Sequence, residues 1–133
     1  MVPQEGKRYK DYKFYCCITL NRLVSAMGID LYQPGLGEKV DNILGTIDYR
    51  VTKADIMHEI RSNHKMTNKV LKDLEEDGFI RIVKEERGYS IKITKEGIMH
   101  IRKFNEFYAK LFGPQLREAY KYRELPSALR AVR

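Results

Sequence analysis

Only two cysteines are present, and they are neighbours, Cys16 and Cys17. A disulfide needs a set separation and direction between its Cβ atoms, which adjacent residues are poorly placed to offer. The expectation is two small hydrophobic side chains in a reducing compartment, with redox sensing or an intermolecular bridge as the alternative. The three histidines, His58, His64 and His100, do not combine with that pair in a CxxC…HxxxH spacing, so no metal is expected. No apolar run reaches the roughly 18 residues that mark a membrane-spanning helix. The opening "MVPQEGKRYKDYKF" lacks an apolar stretch before a small-residue cleavage site, so no export signal is expected and the location is expected to be cytoplasmic. There is no internal repeat and no low-complexity tract. GxSxG, HExxH and the P-loop are all missing. His58-Glu59 has no second histidine to complete a zinc protease motif, and "GLGEK" is too short for a phosphate loop. Neither an enzyme nor a cofactor is expected.

Among what is present, charge stands out. The net charge is +7 in 133 residues, a length that suits one domain with or without an appended arm. Residues 1–13 carry four basic and two acidic side chains, residues 14–99 thirteen of each, and residues 100–133 eight and three. The excess of +2 and +5 therefore lies in the two ends, which should draw the chain to polyanions. An anionic membrane would exert the same pull, but the C-terminal segment lacks the Leu/Trp-rich face of an interfacial helix. Nine tyrosines and five phenylalanines are expected mainly as packing, since each ring is a large apolar body, although rings also stack on bases.

Hydrophobic spacing gives the elements. Residues 11–27 carry Phe14, Cys17, Ile18, Leu20, Val24 and Met27 at helical intervals, and Gly28 suits the stop; the β-rich "YKFYCCITL" would also suit a strand, but the pattern runs too long for one. "YQPGLG" is a loop by its Pro and Gly. Val40, Ile43, Leu44 and Ile47 mark an amphipathic helix from residue 38. Arg50-Val51 reads as a short extended piece. Thr52 and Asp55 form a capping-box-like start to a helix that turns Ile56 and Ile60 inward. After a turn at "SNHK", Met66, Val70 and Leu74 define the buried stripe of a helix over 66–77, with Leu71 beside it and Gly78 as a left-handed terminator. "FIRIVK", "EERG" and "YSIKIT" read as a hairpin over 79–94. Thr94 opens a long helix with Ile98, Ile101, Phe104, Tyr108 and Leu111 in register, and Gly113-Pro114 is expected to interrupt it.

This order resembles a winged helix-turn-helix domain. The likeness is carried by "VTKADIMHEI", "KVLKDLEEDGFI", "RIVKEERGYSIKIT" and "TKEGIMHIRKF". Leu74-Glu75-x-x-Gly78-Phe79-Ile80 is similar to the "LExxGLI" that ends a recognition helix, and "ITKEGIMHI" to the "LTxxG" that follows a wing. Such phrases occur in MarR-like and PadR-like regulators and in small archaeal winged-helix DNA-binding proteins. The likeness covers residues 38–112 and implies a mainly α fold with a small β-hairpin wing, a winged helix-turn-helix domain with a long C-terminal helix after the wing. Outside it lie an N-terminal extension (1–37), where the spacing adds an extra N-terminal helix, and a basic C-terminal tail (113–133).

The resemblance also implies sequence-specific binding of double-stranded DNA by a homodimeric transcriptional regulator. The second helix of such a motif buries one face on the first and offers the other to the major groove. With Met66, Val70 and Leu74 inward, the outer face holds Lys65, Asn68, Lys69 and Lys72, with Thr67 at its edge. Lysines suit phosphates or guanine edges, Asn68 suits adenine, and Thr67 suits a phosphate or a thymine methyl. Arg61 and His64, near the turn, are expected on the backbone, and Arg87 at the hairpin tip in the minor groove. Glu85 and Glu86 beside Arg87 count against that last contact. The seam Ile101, Phe104, Tyr108 and Leu111 is expected to join two copies, unless residues 11–27 fold back on it. Three alternatives stand: an architectural protein with little sequence preference, a winged helix that docks a protein of the transcription or replication machinery, and a regulator that answers a ligand.

Overall fold

The computed structural model describes residues 12–119, with side chains placed through residue 110. The basic run before Tyr12, the tail beyond Ala119 and the Leu111 side chain lie outside the described residues. Helix α1 spans Tyr12–Met27 and buries Cys17, Leu20, Leu23, Val24 and Met27, which recur at intervals of three and four. Gly28, at φ +72°, ends it. These residues and Leu31 share one core with every later element, so a boundary at residue 37 does not separate two cores. Helix α2, Leu36–Thr46, begins two residues earlier than the spacing suggested, because Leu36 joins Val40 in the core.

Helix α3 covers Lys53–Ile60 behind the expected capping box. The Asp55 amide donates to Thr52 Oγ1 at 3.2 Å, and the Thr52 amide donates to Asp55 Oδ2 at 2.9 Å. Those two bonds satisfy donors that a helix start otherwise leaves open. Helix α4, His64–Glu76, starts two residues before the expected Met66, because Asn63 is its cap and accepts from the Met66 amide at 2.8 Å. Only Arg61 to Asn63 remain as the turn, with Arg61 left-handed at φ +53°. At the far end Gly78 reaches φ +82°, the Phe79 amide donates to the Leu74 carbonyl at 2.9 Å, and the Gly78 amide to that of Glu75 at 3.0 Å. This double bond pattern needs a left-handed residue at position 78.

Strands β1 (Ile80–Glu85) and β2 (Gly88–Ile93) pair antiparallel, with Ile80 opposite Ile93 and Ile82 opposite Ile91. Ile80, Ile91 and Ile93 enter the core, while Ile82 stays exposed. The extended Tyr49–Val51 piece runs along β2: the Ile91 amide donates to the Val51 carbonyl and the Ile93 amide to the Tyr49 hydroxyl, each at 2.8 Å. Helix α5, Lys95–Ala119, continues through Gly113-Pro114. The interruption expected there does not end the helix.

The seam expected between two copies is partly internal. Ile101 is fully buried because α1 lies across α5, and Phe104 and Tyr108 meet Phe14 edge-on at 6.5 and 5.5 Å between ring centroids. The same crossing holds a reciprocal amide pair. Asn105 Nδ2 donates to Asn21 Oδ1 at 2.8 Å, and Asn21 Nδ2 returns a bond to Asn105 Oδ1 at 3.2 Å. Asn105 is buried, so this pair fixes the relative rotation of the two helices. The described residues thus form a mainly helical domain with one small hairpin.

Candidate nucleic-acid interface

Helix α4 is held by α1, α3 and β1. Its inward residues are Thr67, Val70, Leu71 and Leu74, with Met66 half-buried. Its outward residues are His64, Lys65, Asn68, Lys69 and Lys72, all exposed. Lys65, Asn68, Lys69 and Lys72 recur at three and four, so they share one face. Thr67 does not belong with them. It is fully buried, at 0 % exposure, and its hydroxyl meets no partner, because position 67 falls on the same side as Val70, Leu71 and Leu74. Buried there, Thr67 is not placed to touch a duplex, contrary to the expectation from its position at the edge of the outer face. Arg61 is exposed at the turn, beside the first residue of α4.

Charge along α4 is polar. Basic groups occupy its first two-thirds, and Glu75, Glu76 and Asp77 close its end. One acid intrudes. Asp73 lies 3.3 Å from the Lys69 ammonium and accepts from the Tyr12 hydroxyl at 2.5 Å. The Lys69 ammonium also sits 4.4 Å from the centroid of the Tyr12 ring. The hydrogen bond from Tyr12, then that from Lys69, holds the Asp73 carboxyl below the usual range. Burial, followed by the same bond to Asp73, raises the Tyr12 phenol. No signal in the sequence joined residues 12 and 73, which are far apart along the chain.

The hairpin tip differs from its sequence appearance in one respect. Glu85 is not a loose negative charge, because Arg50 forms a short ion pair with it and also donates to the Arg87 carbonyl at 3.2 Å. Glu86 and Arg87 remain exposed on the two-residue loop between Glu85 and Gly88. Arg87 thus stands on a different element from the lysines of α4. The Lys92 ammonium lies over the Tyr49 ring, 4.3 Å from its centroid, and is bonded to the Tyr49 carbonyl.

The cysteines sit in the core side of α1. Burial pushes the Cys17 thiol up to about 12, and burial with the nearby Asp73 charge raises that of Cys16. Both are thereby kept protonated at neutral pH, the less reactive form. Among the described residues no group of three His, Cys, Asp or Glu side chains is placed to hold a metal ion, and no helix is long and apolar enough to cross a membrane. Comparison of the chain with protein-family models, characterised proteins and solved structures returns no match.

Proposed function

We propose that this chain is a winged helix-turn-helix protein that binds double-stranded DNA, with α4 entering the major groove and the β1–β2 hairpin as the wing. The observation that carries this reading is the exposed face of Lys65, Asn68, Lys69 and Lys72 on a helix capped at both ends. A rigid, N-terminally basic helix meets two needs at once. Its cations replace counterions on phosphates, and its amide side chain is available for a base edge. Arg61 and His64 flank the start of α4 and suit phosphates, and Arg87 suits the minor groove beside it. A homodimeric transcriptional regulator is the form in which one such helix per chain reads two half-sites.

The test is duplex binding by fluorescence anisotropy at two salt concentrations. Replacing Lys65, Lys69 and Lys72 together with Ala should remove most of the affinity, by roughly a hundredfold or more at low salt, and flatten the log–log salt dependence by up to about three contacts at ~0.9 each. Unchanged binding by the triple variant sinks this face. The distribution of charge favours a second reading, an architectural protein, because the excess of +2 and +5 lies in the two ends. DNA from upstream of the protein's own gene, set against random DNA, separates the two. Preference for the upstream DNA supports a regulator, and equal, salt-sensitive binding supports the architectural role.

A further inference from the structure

Lys69 differs from the other lysines of the α4 face. Its ammonium is already engaged twice, by the Asp73 carboxylate at 3.3 Å and by the face of the Tyr12 ring at 4.4 Å. Both contacts bias the side chain toward the acidic end of α4, since Asp73 is one turn further on. An ordinary surface pair of this spacing is loose and contributes little. Here the carboxylate is itself pinned from a second helix, because Tyr12 on α1 donates to the same oxygen, Oδ2, that faces Lys69.

We propose that Asp73 and Tyr12 act as a latch on Lys69, which exchanges the Asp73 carboxylate for a phosphate when α4 docks on a duplex, while the Tyr12 hydroxyl keeps Asp73 bonded after the exchange. The inference rests on the duplex-binding reading above and adds a positioning role for two residues outside the contact face. Its physical logic is substitution of one anion by another. Lys69 trades a carboxylate for a phosphate, so its net gain on binding is smaller than that of Lys65 or Lys72. Asp73, released near a polyanion, would be repelled with no donor in place, and the Tyr12 phenol supplies that donor. Without the hydroxyl, Asp73 has Lys69 as its only remaining side-chain donor in this cluster and retains it more firmly.

Two measurements decide the matter. The first needs no DNA. Acylation of lysine amines in the folded protein, read by mass spectrometry, should be slower at Lys69 than at Lys65 and Lys72, and Asp73→Asn should raise the Lys69 rate about twofold, the size expected of an exposed pair. Equal rates at all three lysines, unmoved by Asp73→Asn, would overturn the latch whatever the protein binds. The second is duplex affinity and its salt slope for Asp73→Asn, Tyr12→Phe and Lys69→Gln, singly and in pairs, each checked by a thermal melt. Asp73→Asn should tighten binding several-fold, while the salt slope changes by less than the ~0.9 of one contact, because Lys69 meets a phosphate in either protein. Tyr12→Phe keeps the ring and should weaken binding about twofold with the melt little changed. In the Lys69→Gln background the Tyr12→Phe effect should vanish and the Asp73→Asn effect should shrink to the repulsion of its charge alone. If Asp73→Asn tightens binding equally in that background, Asp73 is merely a repelled charge and the latch is wrong. If the wild-type protein binds no duplex, the duplex reading fails, and the acylation contrast still decides whether the latch exists.

Discussion

A methyl group at Gly97 would stand 2.2 Å from the Phe79 carbonyl oxygen and 2.8 Å from Ile93 Cγ1. That carbonyl is not free to move, since it accepts from the Thr94 amide at 3.0 Å, while Thr94 Oγ1 donates to the Gly78 carbonyl at 2.6 Å and accepts from the Gly97 amide at 3.0 Å. The short phrase Thr94-x-x-Gly97 therefore clamps the start of α5 onto the end of α4. Gly97→Ala should cost about 1–3 kcal/mol by overpacking, read in urea as a lower midpoint at unchanged slope. The Asn21–Asn105 pair makes the opposite case, where removal rather than addition does harm. Asn105→Ala leaves a half-buried amide without its partner and should cost about 1–3 kcal/mol. Removing Asn21 as well should add much less than that again, and full additivity in the double-mutant cycle would show that the amides do not act as a unit. Asn21 interrupts the apolar stretch "ITLNRLV" and so carries a sequence signal of a buried polar group, whereas Asn105, beside Glu106 in "KFNEFY", carries none. Thr67 carried no comparable signal, because a threonine beside an apolar stripe is equally at home facing in or out.

Elements whose ends are set by local chemistry were legible from the sequence, and elements set by distant packing were less so. The box at Thr52 and Asp55, the Gly78 terminator and the place of the hairpin turn are all decided within about five residues and match the expectation, whereas the expected alternation fails at Ile82, which is exposed. The α4 start was missed by two residues, because Asn63 and His64 read as turn until the Asn63 cap is seen. The stripe of α5 is open in the sequence to a second copy or to residues 11–27, because nothing local decides that α1 crosses it. The Thr52–Asp55 box also carries a pH dependence. The Thr52 amide lowers the Asp55 carboxyl below its ordinary 3.8, so the folded state favours the ionised form. A depressed folded value contributes stability that is complete above about 3.8 and fades as pH falls through the folded value. Asp55→Asn should therefore destabilise the protein at pH 6 by about 0.5–2 kcal/mol, the usual worth of a cap. The gap between the two proteins should narrow as the pH falls below about 3.8 and close below the folded value, where Asp55 is protonated in both states. A gap that stays constant from pH 6 to pH 2.5 would show that the carboxylate charge adds nothing.

At the scale of the molecule, one chain presents one α4 face, and reading two half-sites requires a second copy. With Ile101 and Asn105 buried, the surface of α5 left for that copy is narrower than its sequence suggested. Among the described side chains of α5, Phe107 is the most exposed large apolar one, at 60 %, and lies next along the helix to the stacked pair Phe104 and Tyr108, whose centroids are 5.8 Å apart. A two-fold axis beside Phe107 would bring two such aromatic clusters together, each ring covering the other's exposed side. Burying one phenylalanine contributes roughly 1.5–3 kcal/mol, and a two-fold contact counts it twice. Phe107→Ser should then weaken self-association by about a hundredfold or more in analytical ultracentrifugation, and leave the monomer's melt nearly unchanged because the ring is exposed. The same variant should lose affinity for a duplex with two half-sites and keep its affinity for one half-site. A wild-type chain that stays monomeric at tens of micromolar, or a Phe107→Ser dimer as tight as wild type, would remove α5 from the dimer and leave α4 to act on a single site.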